Sequence, residues 1–374
     1  MPLQTFGLKP GVIRVAGPRR GRTLPRMDLD RYSRQVLLPG LGREGQERIA
    51  RSTVLVLGCG ALGGAGATYL ARAGVGRLIL VDRDCLELSN LQRQPLYDEK
   101  DLSANLPKAL AAQRRLGAMN SEIQIEALVS DAHAGNIEEL LRGVTVVLDG
   151  TDNFDTRYLL NDACVKLGVP WIYGGAVGTR GMSVAFVPGR TPCLRCLFES
   201  PPPPGAAPTC ETEGILGPLP GFIGCYQAAE ALKVCAGRLE ALNPRMLSVD
   251  LWTGHLATVD VGPAPAKDCP CCGARRFEFL AGGAAGRTAV LCGRAAVQIS
   301  PGREGALDLA ALAERLSGAP GVSLVGASRF LLTIRVAGGE DKQLELAVFP
   351  DGRALVKGTR DPAVARAVYA KYLG

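Results

Sequence analysis

The sequence predicts an α/β protein, with a largely parallel sheet flanked by helices and a smaller α+β unit at the C-terminal end. Three observations lead there. Short β-branched runs alternate with helical stretches from residue 53 onward, the sequence form of repeated β-α-β units. A glycine-rich turn joins the first run to its helix. A Gly/Ala segment at 281–287 then sets off residues 288–374, where strands and helices follow a different order.

The elements follow in turn. Residues 53–57, Thr-Val-Leu-Val-Leu, suit a buried parallel strand. Gly58, Gly60 and Gly63 supply a tight turn, close backbone approach to a phosphate, and tight helix packing. A second strand, 78–81, ends in Asp82, whose carboxylate can accept hydrogen bonds from ribose hydroxyls. Taken alone, this half reads first as a nicotinamide-dependent oxidoreductase, because the turn is widely shared. A helix is predicted over 106–115, and a strand over 144–148 runs into Asp149-Gly150-Thr151-Asp152-Asn153. A helix at 156–167, a strand at 171–173, an antiparallel strand at 181–187 and a helix at 221–232 follow. Beyond the linker come a strand from 289 reaching toward 299, a helix at 307–316, a hairpin turning at Asp351-Gly352 and a final helix at 362–372.

The run Ser89-Asn90-Leu91-Gln92-Arg93-Gln94 changes the functional reading. Cleaving ATP between its α- and β-phosphates requires neutralising a pentavalent phosphoryl group and a departing pyrophosphate, which takes cations and a metal-holding carboxylate. Arg93 offers a forked guanidinium past the second strand, and Lys108 follows on the next helix. A carboxylate at a strand end suits Mg²⁺, which takes one or two protein oxygens and keeps waters. Singly, each cation is as well explained as a solvated surface charge. Together on successive strand ends they favour a nucleoside triphosphate.

Arg31-Tyr32-Ser33-Arg34-Gln35, the glycine turn, Ser89 to Gln94, Lys108 and Thr151-Asp152-Asn153-Phe154 occur in the order found in MoeB/ThiF-type adenylyltransferases, bacterial relatives of ubiquitin-activating enzymes. The chain resembles that family over about residues 28–272. The resemblance implies a Rossmann-like ThiF-type sheet and assigns roles. Asp82 would hold the ribose, with Gly58, Gly60, Gly63, Ser89 and Asn153 lining the nucleotide site. Asn90, Arg93 and Lys108 would hold the phosphates, Asp152 would bind Mg²⁺, and Arg34 would reach the triphosphate from the other subunit of a homodimer. Two departures stand out. Ala61 replaces a usual glycine, and a long spacer before Lys108 leaves Lys100 as a weaker candidate for its role.

The 374 residues exceed one ordinary domain, and 47% hydrophobic content suffices for a large core. Net charge is +7, of which Lys9, Arg14, Arg19, Arg20, Arg22 and Arg26 contribute six in an acid-free segment, 1–27, expected to be a disordered basic tail. No apolar core follows Arg19-Arg20, so export is not expected, and Arg and Gly interrupt the apolar stretches, so neither is a membrane span. A nucleic-acid role for the tail is disfavoured against a solvated extension. Twelve cysteines without an export signal point to reduced thiols in the cytoplasm.

Cys193-x-x-Cys196 and Cys269-x-x-Cys272 read as two knuckles that could hold Zn²⁺ through four thiolates, and the family resemblance strengthens that reading. Such a site is closed, hence structural, with Cys271 an extra thiol. Cys210, in a Pro- and Gly-rich loop, suits a movable nucleophile, against the plainer reading of a free loop cysteine. Cys59, Cys85, Cys164, Cys225 and Cys235 read as packing residues. The two histidines, His133 and His255, lie near no nucleophile in sequence, which disfavours a Ser-His or Cys-His hydrolase. Cys292-Gly293-Arg294 lacks the loop of a sulfurtransferase (rhodanese) domain, and the terminal Tyr372-Leu373-Gly374 is no Gly-Gly carrier tail.

The expectation is therefore a tail (1–27), an adenylyltransferase domain with zinc knuckles (28–280), a linker (281–287) and an accessory α+β domain (288–374). The domain would adenylate the C-terminal glycine of a ubiquitin-like sulfur-carrier protein ending in Gly-Gly. A cysteine desulfurase or sulfurtransferase would donate sulfur. Adenylation of a peptide or other carboxylate is the main alternative; an oxidoreductase and a non-catalytic scaffold are remote ones. These residues do not distinguish a molybdopterin, thiamine or tRNA-thiolation pathway.

Overall fold

In the computed structural model the described residues are 13–16, 30–104, 106–203, 208–210, 212–262, 266–281, 288–290, 296–299, 307–337 and 343–373. The strands are β1 Ile13–Ala16, β2 Thr53–Leu57, β3 Arg77–Asp82, β4 Gln124–Val129, β5 Val146–Asp149, β6 Trp171–Val177, β7 Arg180–Phe186, β8 Met246–Asp250, β9 His255–Val259, and in the C-terminal unit β10 Thr288–Val290, β11 Ala296–Ile299, β12 Val322–Ala327, β13 Leu332–Ala337, β14 Gln343–Val348 and β15 Ala354–Lys357. The helices are α1 Ser33–Val36, α2 Gly42–Arg51, α3 Ala61–Arg72, α4 Glu99–Ser103, α5 Lys108–Met119, α6 Ile137–Leu140, α7 Phe154–Leu167, α8 Leu194–Leu197, α9 Pro218–Cys235, α10 Glu278–Ala281, α11 Leu309–Ser317 and α12 Pro362–Leu373.

Nine strands form one sheet in the order β1-β4-β3-β2-β5-β6-β7-β8-β9. The centre, from β4 to β6, is parallel, and β7, β8 and β9 extend it antiparallel. Burial on both faces explains why β2, β3 and β5 read as continuous apolar runs: one core cluster lies under α3, α5 and α9, another under α7. Parallel pairing aligns the carboxyl ends, with Leu57 opposite both Val81 and Asp149. Gly58, Asp82 and Gly150 therefore share one edge, where open α/β sheets bind ligands.

The expected strand 171–173 runs on through Val177, and the run from 289 toward 299 is two antiparallel strands, β10 and β11; Cys292 lies outside the described residues. The basic tail needs correction at 13–16. These residues pair antiparallel with β4 at the sheet edge, and Val15 is buried, because Ile-Arg-Val-Ala alternates as an edge strand should. The linker segment 282–287 lies outside the described residues. Beyond it, a six-stranded sheet, β10-β11-β15-β14-β13-β12, packs α11 and α12 on one face. Its other face, with Leu331, Ala347, Phe349 and Leu355, meets Val15, α5 and β4 of the first sheet. The expected Asp-Gly turn joins β14 to β15, with Gly352 at φ 80°.

Candidate active site

The glycine turn is built from three different needs. Gly58 has φ 88°, and a Cβ there would lie 2.7 Å from the Gly150 carbonyl oxygen. A Cβ on Gly63 would lie 1.8 Å from the Gly58 carbonyl oxygen, so the helix can start only without one. At Gly60 the nearest atom to an added Cβ is Gln94 Nε2 at 3.8 Å, so the protein itself leaves that surface open. Ala61, the departure from the usual glycine, fits as the first residue of α3.

Asp82 closes over this turn. Its Oδ2 accepts from Cys59 N–H and its Oδ1 from Asp84 N–H, both at 2.7 Å. Burial raises the Asp82 carboxyl, while the Lys108 charge opposes the rise and Asp84 adds to it. Lys108 opens α5 with a nearly fully buried side chain, and its Nζ reaches Asp84 Oδ2 at 3.2 Å. Tyr97 ties the two halves together, donating to the Cys59 carbonyl at 2.7 Å and to the Lys108 carbonyl at 3.2 Å. Lys100, the weaker candidate, is exposed on α4, whereas Lys108 is buried beside Asp84.

The polar run folds as a short 3₁₀ turn, Leu88–Asn90, bound reciprocally to Glu87 in a capping box. Asn90 is buried and accepts from Glu87 N–H at 3.2 Å. Ser89 is exposed, and its carbonyl accepts from Arg93 Nη1 at 2.8 Å, holding the guanidinium over the turn. Past the end of β5, two strands along, Asp152 is exposed and close enough for its charge to act on Arg83 and Arg157. Asn153 is the N-cap of α7, accepting from Thr156 N–H at 2.9 Å, so its side chain is already used by the helix. Arg34 sits exposed on α1 beside exposed Leu37 and Leu38.

A buried support beneath Asp152 escaped the sequence reading. Arg157 donates to Asp149 Oδ2 at 3.1 Å and to the Thr151 and Gly174 carbonyls at 2.7 Å each. Gln227 donates to the Asp149 carbonyl at 2.7 Å and to Ile172 at 2.9 Å. Burial raises the Asp149 carboxyl, and Arg157 and Thr151 work against that rise. Arg157 is one of several polar residues in α7, and Gln227 one of three in α9 with Glu230 and Lys233, so their pattern in sequence does not single them out. Arg83 and Asp84 were also missed, although they follow Asp82 directly.

Cys210 lies on the same edge of the sheet, its Sγ 3.7 Å from the carbonyl of Ala176 near the carboxyl end of β6. Burial pushes the Cys59 and Cys164 thiols well up, and those of Cys85 and Cys235 to about 12, as expected of packing residues. Away from the edge, Cys193, Cys196, Cys269 and Cys272 converge with all Sγ atoms within 4.8 Å of one another. Sulfur separations are 3.8 Å (193–196), 3.6 Å (193–269) and 3.4 Å (196–272). Four thiolates at about 2.3 Å from a tetrahedral Zn²⁺ lie about 3.8 Å apart, so the donor set fits a metal of that kind. Cys271 is buried behind them, its Sγ accepting from Asn161 Nδ2 at 3.3 Å, while Asn161 Oδ1 holds the first knuckle through Leu194 N–H at 2.9 Å.

A strand-end site with paired acids and cations beside a glycine turn left open at Gly60 is the arrangement of a nucleotide-dependent α/β enzyme. The ThiF family model matches residues 32–271, and the chain belongs to the ThiF family. It is an adenylyltransferase of that family: it is 42% identical, over 92% of its length and 99% of the relative's, to the sulfur carrier protein ThiS adenylyltransferase of Bacillus subtilis. The sulfur carrier protein adenylyltransferase of Thermus thermophilus is 44% identical over 66% of this chain and 91% of its own length. Among solved structures, E. coli MccB with AMPCPP and MccA matches at a TM-score of 0.55 and 25% identity, covering 66% of this chain and 75% of that one.

Proposed function

We propose that the chain adenylates the C-terminal glycine of a small ubiquitin-like sulfur-carrier protein, preparing that carrier for thiocarboxylate formation. The observation that carries this reading is the gathering of the open glycine turn after β2, buried Lys108 with Asp84, Arg93 past β3 and Asp152 past β5 at one edge of the sheet. The likeness to named sulfur-carrier adenylyltransferases over nearly their whole length supports the substrate class. In this reading Asp82 takes the ribose, the Gly58–Gly63 turn admits the phosphates, and Asn90, Arg93 and Lys108 neutralise them. A carrier carboxylate oxygen attacks the α-phosphorus in line, the bond to the bridging oxygen breaks, and pyrophosphate leaves with its charge compensated by Lys108 and Arg93.

Asp152 would hold Mg²⁺, which supplies charge neutralisation at the phosphates; its exposed position at a strand end suits an ion that keeps waters. The four-cysteine cluster would hold a structural Zn²⁺. Exposed Leu37 and Leu38 beside Arg34, 70% and 56% accessible, support a homodimer in which Arg34 serves the partner's site. Cys210 would take part in the later sulfur exchange with a desulfurase or sulfurtransferase. Twelve cysteines in the sequence suit a cytoplasmic enzyme whose thiols stay reduced; among the described residues no helix is long and apolar enough to cross a membrane. A second reading, adenylation of a peptide, rests on the likeness to MccB.

Mg²⁺-dependent ATP–pyrophosphate exchange, with and without carriers ending in Gly-Gly, tests the proposal, with Asp152→Ala as control. Exchange that requires a carrier and disappears in the variant is expected. Exchange with peptides only, or with no carrier at all, would overturn the assignment.

A further inference from the structure

The C-terminal domain reaches the nucleotide site by two polar tethers and one apolar contact. The first tether is Lys357, at the end of β15, whose Nζ lies 2.8 Å from Glu87 Oε1 and 3.2 Å from Glu345 Oε1. Glu87 is also the cap of the Leu88–Asn90 turn, so the residue that shapes the phosphate-binding run is held from outside by the other domain. The second tether runs through Asp131, just past β4. Its Oδ2 accepts from Arg83 at 3.0 Å and from Gln298 of β11 at 3.1 Å. Arg353 of the same domain faces it as well. Although burial works the other way, the charges of Arg83 and Arg353 and the Gln298 hydrogen bond hold the Asp131 carboxyl below its usual range. The apolar contact seats Phe349, Leu355 and Ala347 against Ala109 and Leu110, the turn of α5 that Lys108 begins.

The stretch from Asp82 to Asn90 is thus gripped at Arg83 and at Glu87, and the helix carrying Lys108 is braced beside it. These are the segments that bring the acid, the amide and the buried cation together. The Thermus thermophilus relative, 91% of which is matched by two thirds of this chain, has no room for a domain of this size, so the chemistry itself does not need one. We propose that the C-terminal domain is a positioning element for the ATP site, acting through Lys357–Glu87 and Gln298–Asp131–Arg83 to fix the nucleotide-binding segment. The proposal rests on the nucleotide site described under the proposed function. Neither Lys357 nor Gln298 touches substrate in it; both act through residues that do.

The test uses the full chain carrying Lys357→Met, Gln298→Leu, both together, and Lys357→Arg. ATP affinity is measured by calorimetry, KM for ATP and for carrier and kcat by pyrophosphate exchange, and the unfolding midpoint alongside. The double variant is expected to weaken ATP binding and raise its KM by about three- to tenfold, the range for a few partly buried polar contacts. Carrier KM and kcat stay within about twofold, and Lys357→Arg restores ATP affinity. A lowered unfolding midpoint with unchanged ATP affinity would assign these contacts to stability alone and overturn the proposal. Failure of Lys357→Arg to restore affinity would overturn it too. If the double variant does not fold, the single substitutions decide by the same criteria. A wild-type chain that binds ATP but exchanges pyrophosphate with no carrier sinks the carrier assignment and leaves the coupling to be judged on ATP affinity; a chain that does not bind ATP refutes both.

Discussion

Replacing Lys108 by Met keeps an unbranched stem out to Cε and removes the ammonium from beneath the nucleotide site. The ammonium lies 3.2 Å from Asp84, with only 4% of the lysine side chain and 21% of the aspartate exposed. At an effective dielectric constant of about 20, two unit charges so close attract by about 5 kcal/mol. Part of that offsets desolvation, and breaking a buried pair from one side costs about 3 kcal/mol. The unfolding midpoint should therefore fall by about 6 °C, taking about 2 °C per kcal/mol for a chain of this size. The pH dependence gives the sharper readout. Burial already raises the Asp82 carboxyl, and the Lys108 charge is what opposes it. A raised acid favours the folded state while protonated and loses that contribution as pH climbs through its folded value. The variant's deficit in stability should thus be small below about pH 4, where carboxyls are protonated in both states, and widen toward neutrality. Because ribose binding uses ionised Asp82 in the proposed reaction, the acid limb of ATP binding should move to higher pH. Chemical denaturation from pH 3.5 to 8, paired with calorimetric ATP titrations, measures both. A deficit independent of pH, together with an unmoved acid limb, would refute the coupling of Lys108 to Asp82.

Gly60→Ala should fold with a midpoint within a few degrees of the parent, since no protein atom obstructs its Cβ, yet lose ATP affinity by about tenfold or more; Gly63→Ala should instead lower soluble yield, because its Cβ meets the Gly58 carbonyl at 1.8 Å. Metal analysis should find one Zn²⁺ per chain, released by a thiol-directed mercurial, with Cys193→Ser losing the metal and unfolding at lower temperature. Cys210→Ala should leave pyrophosphate exchange within about twofold while reducing thiocarboxylate on the carrier, read by intact mass; an equal loss of both would place Cys210 in the adenylation step. Arg157→Met should abolish exchange without contacting ATP, because Asp149, Thr151 and Gly174 lose the donor that shapes the Asp152 loop; full exchange in a folded variant would count against that support.

The legible part of this chain was the part whose physics is local. The β2 run, the glycine turn and Asp82 announce themselves because a buried strand must be apolar, a helix start packed against a carbonyl must lack a Cβ, and a strand-end acid must follow at a fixed remove. The two cysteine knuckles were legible because thiolate spacing is chemistry written directly in sequence. What stayed hidden depends on long-range partners. Ile13–Ala16 is four residues in a basic, Gly- and Pro-rich segment, and only the open edge of β4 makes it a strand. Asn153, expected in the nucleotide site, also caps α7 through its Oδ1, a second role that the motif alone does not announce.

Arg157, Gln227 and Arg83 make the same point at the site itself. Gln227 and Arg83 find their partners 48 to 78 residues away, and Arg157 turns back onto Asp149 and Thr151 and across to Gly174, pairings that the fold makes and no local pattern announces. Yet they decide where Asp152, Asp82 and Asn90 stand, and catalysis by charge depends on such placement more than on the identity of the charges. The motif residues name the reaction; the buried donors behind them, and the C-terminal domain that grips Glu87 and Asp131, determine how well the site is formed before ATP arrives. A ThiF-family chain with every motif intact can therefore differ from its relatives in ATP affinity through residues that no motif contains.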